Sequence, residues 1–191
     1  MRSISQATAL ICSLLLSDSS ARLSAGSCPE NIEYMTEFSA EKYSGMWYEA
    51  VRDSTNPYTL NTDCVTKEFS DFHQDTQSMD LYFRGYYHSS QAYRGVNGTL
   101  YDCGESQQQT CMATMNGGNF RAPLKIFYTD YENIEIGYSC KNTYGGKYEM
   151  FALVTRDPSP SKATLAKANQ IIKERIPSYD LDTSTDLYWT K

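Results

Sequence analysis

Eight short runs in which apolar and polar residues alternate, parted by turn-forming residues, constrain this chain more than any other feature. They fall at residues 47–52, 64–70, 79–87, 93–102, 110–115, 125–128, 134–141 and 148–155. Side chains of an extended strand point to opposite faces in turn, so a period of two marks a strand with one dry face and one wet face. Asn116-Gly117-Gly118 and Gly145-Gly146 supply the positive φ angles that tight hairpins demand. Eight sequential antiparallel strands with short loops are the count at which a sheet closes around one small ligand. The expected fold is all-β, an eight-stranded antiparallel up-and-down barrel.

After the last run the period changes from 2 to 3.6. Ser159 is the expected N-cap with Pro160 at the first helical position, while Leu165, Ala168, Ile172 and Ile176 lie on one stripe before Pro177 stops the run. This predicts one C-terminal α-helix packed outside the barrel.

At 191 residues, 40% hydrophobic and without a composition break or repeat, the chain fits one domain with a real core. The net charge of −6, with no run of Lys or Arg, argues against nucleic acid or an anionic membrane as partner. The 16 Tyr suit pleated, half-buried surfaces and an amphipathic cavity. Residues 1–25 read as a secretory signal, with Arg2 as basic start, a largely apolar stretch over 7–16 and small residues ending at Ser24-Ala25. That stretch is too short to span a bilayer and no later one is apolar enough, so no integral membrane association is expected. The expected division is leader 1–25 and barrel domain 26–191, with an extracellular destination. Asn97-Gly98-Thr99 is then a candidate glycosylation site, an unmodified turn or strand end being the alternative.

Removal of the leader takes Cys12 and leaves Cys28, Cys64, Cys103, Cys111 and Cys140, an odd number for an oxidising compartment. Cys103 and Cys111 flank seven polar residues, and their simplest pairing staples adjacent strands across a hairpin loop. Cys28 is left to tether the N-terminal segment to a distant strand at Cys140. Cys64 is the odd one: a free thiol, a bridge to another copy in a homo-oligomer, or a sign that the pairing differs.

Chemistry-bearing patterns are sparse. His73 and His88 are the only histidines, and neither metal-ligand spacing nor Cys-x-x-Cys occurs, so no metal and no cofactor are expected. There is no G-x-S-x-G elbow and no glycine loop for phosphates.

Three islands carry a family resemblance. Lys42-Tyr43-Ser44-Gly45-Met46-Trp47-Tyr48-Glu49, then Thr129-Asp130-Tyr131-Glu132-Asn133 leading to Gly137-Tyr138-Ser139-Cys140, then Arg156 closing the last strand, stand in the order and spacing of the lipocalin motifs. The chain resembles the lipocalins over nearly all of residues 26–191. Cys28-Pro29, Tyr138-Ser139-Cys140 and Asn56-Pro57-Tyr58-Thr59-Leu60 are similar to apolipoprotein D, the bilin-binding proteins and the crustacyanins. The resemblance implies a carrier of lipids or pigments. It also implies that Gly45, Trp47, Thr129, Asp130, Tyr131 and Arg156 are structural, with Tyr43 at the floor region and Tyr58 at the entrance.

A physical reason stands beside the resemblance. A barrel needs one plugged end, and the Trp47 indole can seal it while Arg156 lays its guanidinium over the ring. Gly45 lets the backbone bend into the strand and Asp130 can accept hydrogen bonds from its own turn. Ligand contacts then belong to the inward positions. Alternation places Met79, Leu81 and Phe83 on one face, and Val65 and Phe69 on the corresponding face of the preceding strand. It also turns Lys67 inward, a place a charge can hold near the mouth. Leu124, Ile126, Met150, Ala152 and Val154 continue the wall, with Val96 and Met115 added by resemblance. The alternative is that these residues fill a core packed shut.

The expected function is that of a secreted carrier for one small hydrophobic ligand of the lipid, bilin, carotenoid or retinoid class, with no catalysis. A second reading is an oligomeric or loop-mediated interaction protein of the kind that assembles pigments. A third rests on Cys64, since the lipocalin-type prostaglandin D synthase uses a thiol on its second strand.

Overall fold

In the computed structural model the described residues are 23–35, 37–53, 61–103, 111–115, 117, 118, 120–179 and 184–186. Tyr58, most of the expected leader, the loop between Cys103 and Cys111, and Asn116 lie outside them. The elements are β1 (Leu23–Ser24), α1 (Ala40–Tyr43), β2 (Gly45–Asp53), β3 (Thr62–Phe69), β4 (Ser78–Tyr87), β5 (Ala92–Tyr101) and β6 (Cys111–Met115). There follow β7 (Phe120–Leu124), β8 (Ile126–Thr129), β9 (Ile134–Thr143), β10 (Gly146–Thr155), α2 (Lys162–Arg175) and β11 (Ser184–Asp186).

The strands form one antiparallel sheet in the order β7-β6-β5-β4-β3-β2-β10-β9-β8. The run expected at 125–128 is two pieces: β7 bonds to β6, and after Lys125 β8 bonds to β9. Pro123 has no N–H to give a ladder, and the change of partner falls just after it. Together the two pieces occupy the place of one bent strand, so the sheet curls back on itself through the chain and the eight-stranded plan is met. Two short strands lie off this path. β1 pairs with β10, although Leu23 and Ser24 belong to the segment read as leader, and β11 pairs with the far end of β2.

Curling divides the apolar residues into two cores. One is enclosed by the sheet and contains Tyr43, Trp47, Phe69, Met79, Leu81, Leu100, Cys111, Ala113, Ile126 and Val154. The other lies between the outer face of β2, β9 and β10 and the helix, and contains Val51, Ile134, Ile136, Tyr138, Phe151 and Leu153 packed on Ala168, Ile172 and Ile176. The stripe read from the 3.6 period is thus the face that docks, with Leu165 at its partly buried edge. The helix begins two residues later than expected. Ser161, not Ser159, is the N-cap, its Oγ accepting the Thr164 N–H at 3.1 Å, and Pro160 precedes the cap. Asp53 locks the end of this packing, accepting from the Phe151 N–H at 2.6 Å and the Tyr179 hydroxyl at 2.7 Å.

Both expected disulfides are present, Cys28 to Cys140 and Cys103 to Cys111, and Cys64 is a free thiol.

The plugged end has the expected geometry. The Arg156 guanidinium carbon stands 3.8 Å from the Trp47 ring centre, and the indole N–H donates to the Tyr43 carbonyl at 2.9 Å. Arg156 also donates to the carbonyls of Tyr131, Met46, Lys42 and Tyr43 at 3.0 to 3.2 Å, so one side chain ties the motif islands together. Gly45 has φ +96, a backbone conformation that favours glycine, and a Cβ there would lie a tight 3.1 Å from the Arg156 guanidinium. Arg156→Met keeps the stem over the ring but removes a donor from four carbonyls, of which Tyr43 alone keeps the indole N–H of Trp47. It is expected to lower unfolding free energy by about 2 to 4 kcal/mol, read from the denaturant midpoint with both disulfides intact.

Candidate functional site

The turn that follows β8 sets the floor. Thr129 Oγ1 donates to the Ile134 carbonyl at 2.8 Å and accepts the Tyr131 N–H at 2.9 Å. Asp130 accepts the N–H groups of Asn133 and Ile134 at 2.8 and 2.9 Å and meets the Lys167 ammonium of α2 at 2.8 Å. Burial alone would raise the Asp130 carboxyl. The Lys167 hydrogen bond and the two backbone N–H groups outweigh it and hold the group at about 2, below its ordinary 3.8. The ionised form therefore stabilises the fold above pH 3.8, and that contribution disappears as pH falls toward 2. Asp130→Asn should flatten the loss of stability between pH 4 and pH 2, measured by denaturant unfolding across that range.

From the plug upward, the inward side chains of β4, β5, β6 and β10 become less buried, whereas those at the far end of β2 and β3 stay covered. Trp47, Met79, Ile126 and Val154 are wholly buried and Phe69 is 3% exposed, so the plugged end is packed solid. Val65 is also fully buried. Phe83, Val96, Met115, Leu124, Met150 and Ala152 are only partly buried. Pairing puts Phe83 opposite Val96 and Met115 opposite Gly98, on the face that Leu81 and Leu100 share below them. A hollow of about 660 Å³ opens at this flank. It reaches the inward face at Leu81, Gly98 and Met115 and is otherwise walled by outward residues such as Glu68, Asp80 and Tyr82. Its origin is geometric: β6 pairs with β5 only over Gly98 to Tyr101, so above Met115 the flank of β5 has no ladder partner among the described residues.

The interior also holds charges that alternation did not announce. A bulge at Ala50 shifts the register of β2 against β10, so that Glu49 pairs with Val154 and Arg52 with Ala152. Both therefore face the enclosed side, although they stand three residues apart. Arg52 meets Glu49 at 3.0 Å and donates to the Thr62 carbonyl. Glu135 pairs with Val154 from the other side, is 2% exposed and accepts the Tyr43 hydroxyl at 3.1 Å. Burial raises both carboxyls above their ordinary range, and the Tyr43 hydroxyl is raised by burial and then by Glu135. Lys67 does face inward but not at the mouth: it stands opposite Trp47 and Phe83, near the plugged end, where the neighbouring β2 carries Glu49.

Several polar residues turn out to lie on the outer surface. Tyr82 and Tyr93 are 41% and 51% exposed and share the outer face with Arg84, whose guanidinium lies 4.6 Å from the Tyr93 ring. Tyr82 and Tyr93 therefore do not furnish the cavity wall, whereas Tyr43 sits at its floor and Tyr87 and Tyr148 fall on the inward rows of β4 and β10. Cys64 falls in a second bulge, with φ +51, and its thiol engages Tyr93, whose hydroxyl is raised chiefly by that hydrogen bond. Asn97 is exposed on the outer face of β5, opposite Tyr82. Among the described residues no cluster of His, Cys, Asp or Glu could hold a metal ion, and no helix is long and apolar enough to cross a membrane.

Comparison with known proteins agrees with this geometry. The model of the lipocalin and cytosolic fatty-acid binding protein family matches residues 104–191. Lobster apocrustacyanin A1 is similar in structure with a TM-score of 0.65, at 23% identity over 78% of this chain and 79% of that one. Insecticyanin from the tobacco hornworm Manduca sexta has a TM-score of 0.74, at 15% identity over 90% of this chain and 91% of the other. The siderocalin Ex-FABP, a protein with dual ligand specificities, has a TM-score of 0.55 at 15% identity, over 78% and 96%. No curated protein matches the sequence. The motif resemblance thus holds on two counts: the chain has the lipocalin fold, and its residues 104–191 match the lipocalin family in sequence.

Proposed function

We propose that this protein is a secreted carrier that takes up one small hydrophobic or amphipathic molecule, of the lipid, bilin, carotenoid or retinoid class, within its curled sheet. The observation that carries the reading is the grading of the interior. A solid plug of Trp47, Phe69 and Met79 gives way to the partly buried Phe83, Val96, Met115, Met150 and Ala152, apolar groups that a ligand can dry. Tyr58 is assigned to the entrance by the motif resemblance alone. Similarity to insecticyanin and to a siderocalin with dual ligand specificities fits the same reading. A non-enzymatic role is favoured by the setting of Cys64, whose thiol engages the half-exposed Tyr93 on the outer face, away from the enclosed apolar walls.

Secretion rests on the leader pattern of residues 1–25 and the two disulfides, and the sequon at Asn97 is then open to glycosylation on an exposed strand face. The free Cys64 leaves open a bridge to a second copy, which reductant would abolish.

The test is fluorescence titration with a retinoid, a bilin and a fatty-acid probe, expected to show saturable one-to-one uptake of at least one class. Phe83→Arg should weaken uptake at least tenfold by placing a charge in the dry wall, whereas the outward Thr66→Arg should leave it unchanged. Absence of saturable uptake in the parent, or equal loss in both variants, overturns the reading.

A further inference from the structure

The hollow beside β5 has a lining unlike that of the interior. Its outer wall is built from Glu68, Asp80, Tyr82, Asn97, Thr99 and Thr114, outward residues of four adjacent strands. Glu68, Tyr82 and Asn97 form one cross-strand row, and Asp80, Thr99 and Thr114 form the next. Tyr82 is laid across the sheet. Gly95 has no Cβ, and one placed there would collide with the Tyr82 ring, so the ring covers bare backbone. Its other side is open, the residue being 41% exposed. Among the described residues no hydrogen bond or ion pair engages the Glu68 and Asp80 carboxylates, the Tyr82 hydroxyl or the Asn97 amide. Acceptor carboxylates, hydroxyls and one open aromatic face together suit a sugar, whose hydroxyls donate and whose C–H face lies on a π-system.

Asn97 is at once part of this wall and the acceptor of the Asn97-Gly98-Thr99 sequon. Resting on the export reading, we propose that the N-glycan on Asn97 folds back into the hollow, its first N-acetylglucosamine lying on the Tyr82 ring with its polar edge toward Glu68, Asp80 and Thr114. The register makes this reachable. Tyr82 stands directly opposite Asn97, and the Cβ atoms of such a pair are about 5 Å apart, so a sugar on the Asn97 amide is already beside the ring. Shallow saccharide contacts are weak between separate molecules, but a covalent tether makes docking intramolecular, at an effective concentration of about millimolar. The docked sugar also has a structural effect. It roofs the place where the hollow reaches the inward face at Leu81, Gly98 and Met115, and so finishes a wall that the short pairing of β6 with β5 leaves incomplete.

The test uses the full chain secreted from a eukaryotic cell line, its glycan trimmed by an endoglycosidase to the single N-acetylglucosamine on Asn97. The protons of that sugar are expected to show upfield NMR shifts from the Tyr82 ring current, kept in Tyr82→Phe and lost in Tyr82→Ser. The trimmed protein should melt roughly 2 to 4 °C above the Asn97→Gln variant, and that difference should vanish in the Tyr82→Ser background. Tyr82→Leu, which keeps Gly95 covered but has no ring, serves where the serine variant does not fold. Sugar resonances at free-glycan positions in the parent, or shifts that survive loss of the ring, overturn the docking. Secretion without a glycan on Asn97 overturns the proposal as a whole and leaves the export reading standing. Retention of the chain in the cell overturns the export reading and the proposal with it, while ligand uptake is decided separately by titration.

Discussion

Everything in this fold is referred to the stacking of the Arg156 guanidinium on the Trp47 indole. The contact is favourable on its own, by about 0.5 to 2 kcal/mol when shielded from water. Its larger effect is organisational, since the same guanidinium satisfies carbonyls at the end of α1, at the start of β2 and in the turn after β8. Those backbone segments come from opposite ends of the chain, and holding them fixes where the curl of the sheet begins. The first turn of the interior is then solid, and any hollow must lie further along the strands.

The second constraint is that the sheet is buried on two sides along β9 and β10. The outer face carries Ile134, Ile136, Tyr138, Phe151 and Leu153 under α2, while the inner face of β9 carries Glu135. A strand that alternates apolar and polar residues usually turns its apolar side to the core. Here the helix has claimed that side, and the polar row is left to the enclosed space. The inward Glu135 is a consequence of where the helix docks, offset by the Tyr43 hydroxyl, whereas Glu49 and Arg52 reach the interior through the bulge at Ala50 and pair with each other.

This explains which parts of the structure were legible in the sequence. Regular alternation in β4 identified Met79, Leu81 and Phe83 correctly as one inward face, and the spacing of Leu165, Ala168, Ile172 and Ile176 identified the docking stripe. The motif islands announced the Trp47 and Arg156 contact across more than a hundred residues. Departures occur where an extra residue breaks the period. The bulge at Ala50 brings Glu49 and Arg52 to one side, and the one beside Cys64 lets that thiol reach the outer Tyr93, neither of which a strict period of two can express. Lys67 was placed on the right face but at the wrong height, because alternation encodes side and not depth. The split at Lys125 and the later helix start at Ser161 are boundary effects of Pro123 and Pro160, whose rings interrupt local regularity without changing the plan.

At the open end of β2 the partnership changes. β3 accompanies β2 only from Gly45 to Tyr48, and over Val51 to Asp53 that flank is taken by Ser184–Asp186. A stretch of main chain that would otherwise present bare amides and carbonyls to any passing extended peptide is thereby spoken for by the molecule's own tail. Ser184–Asp186 act as a selvedge, finishing a hem that would otherwise catch on its neighbours.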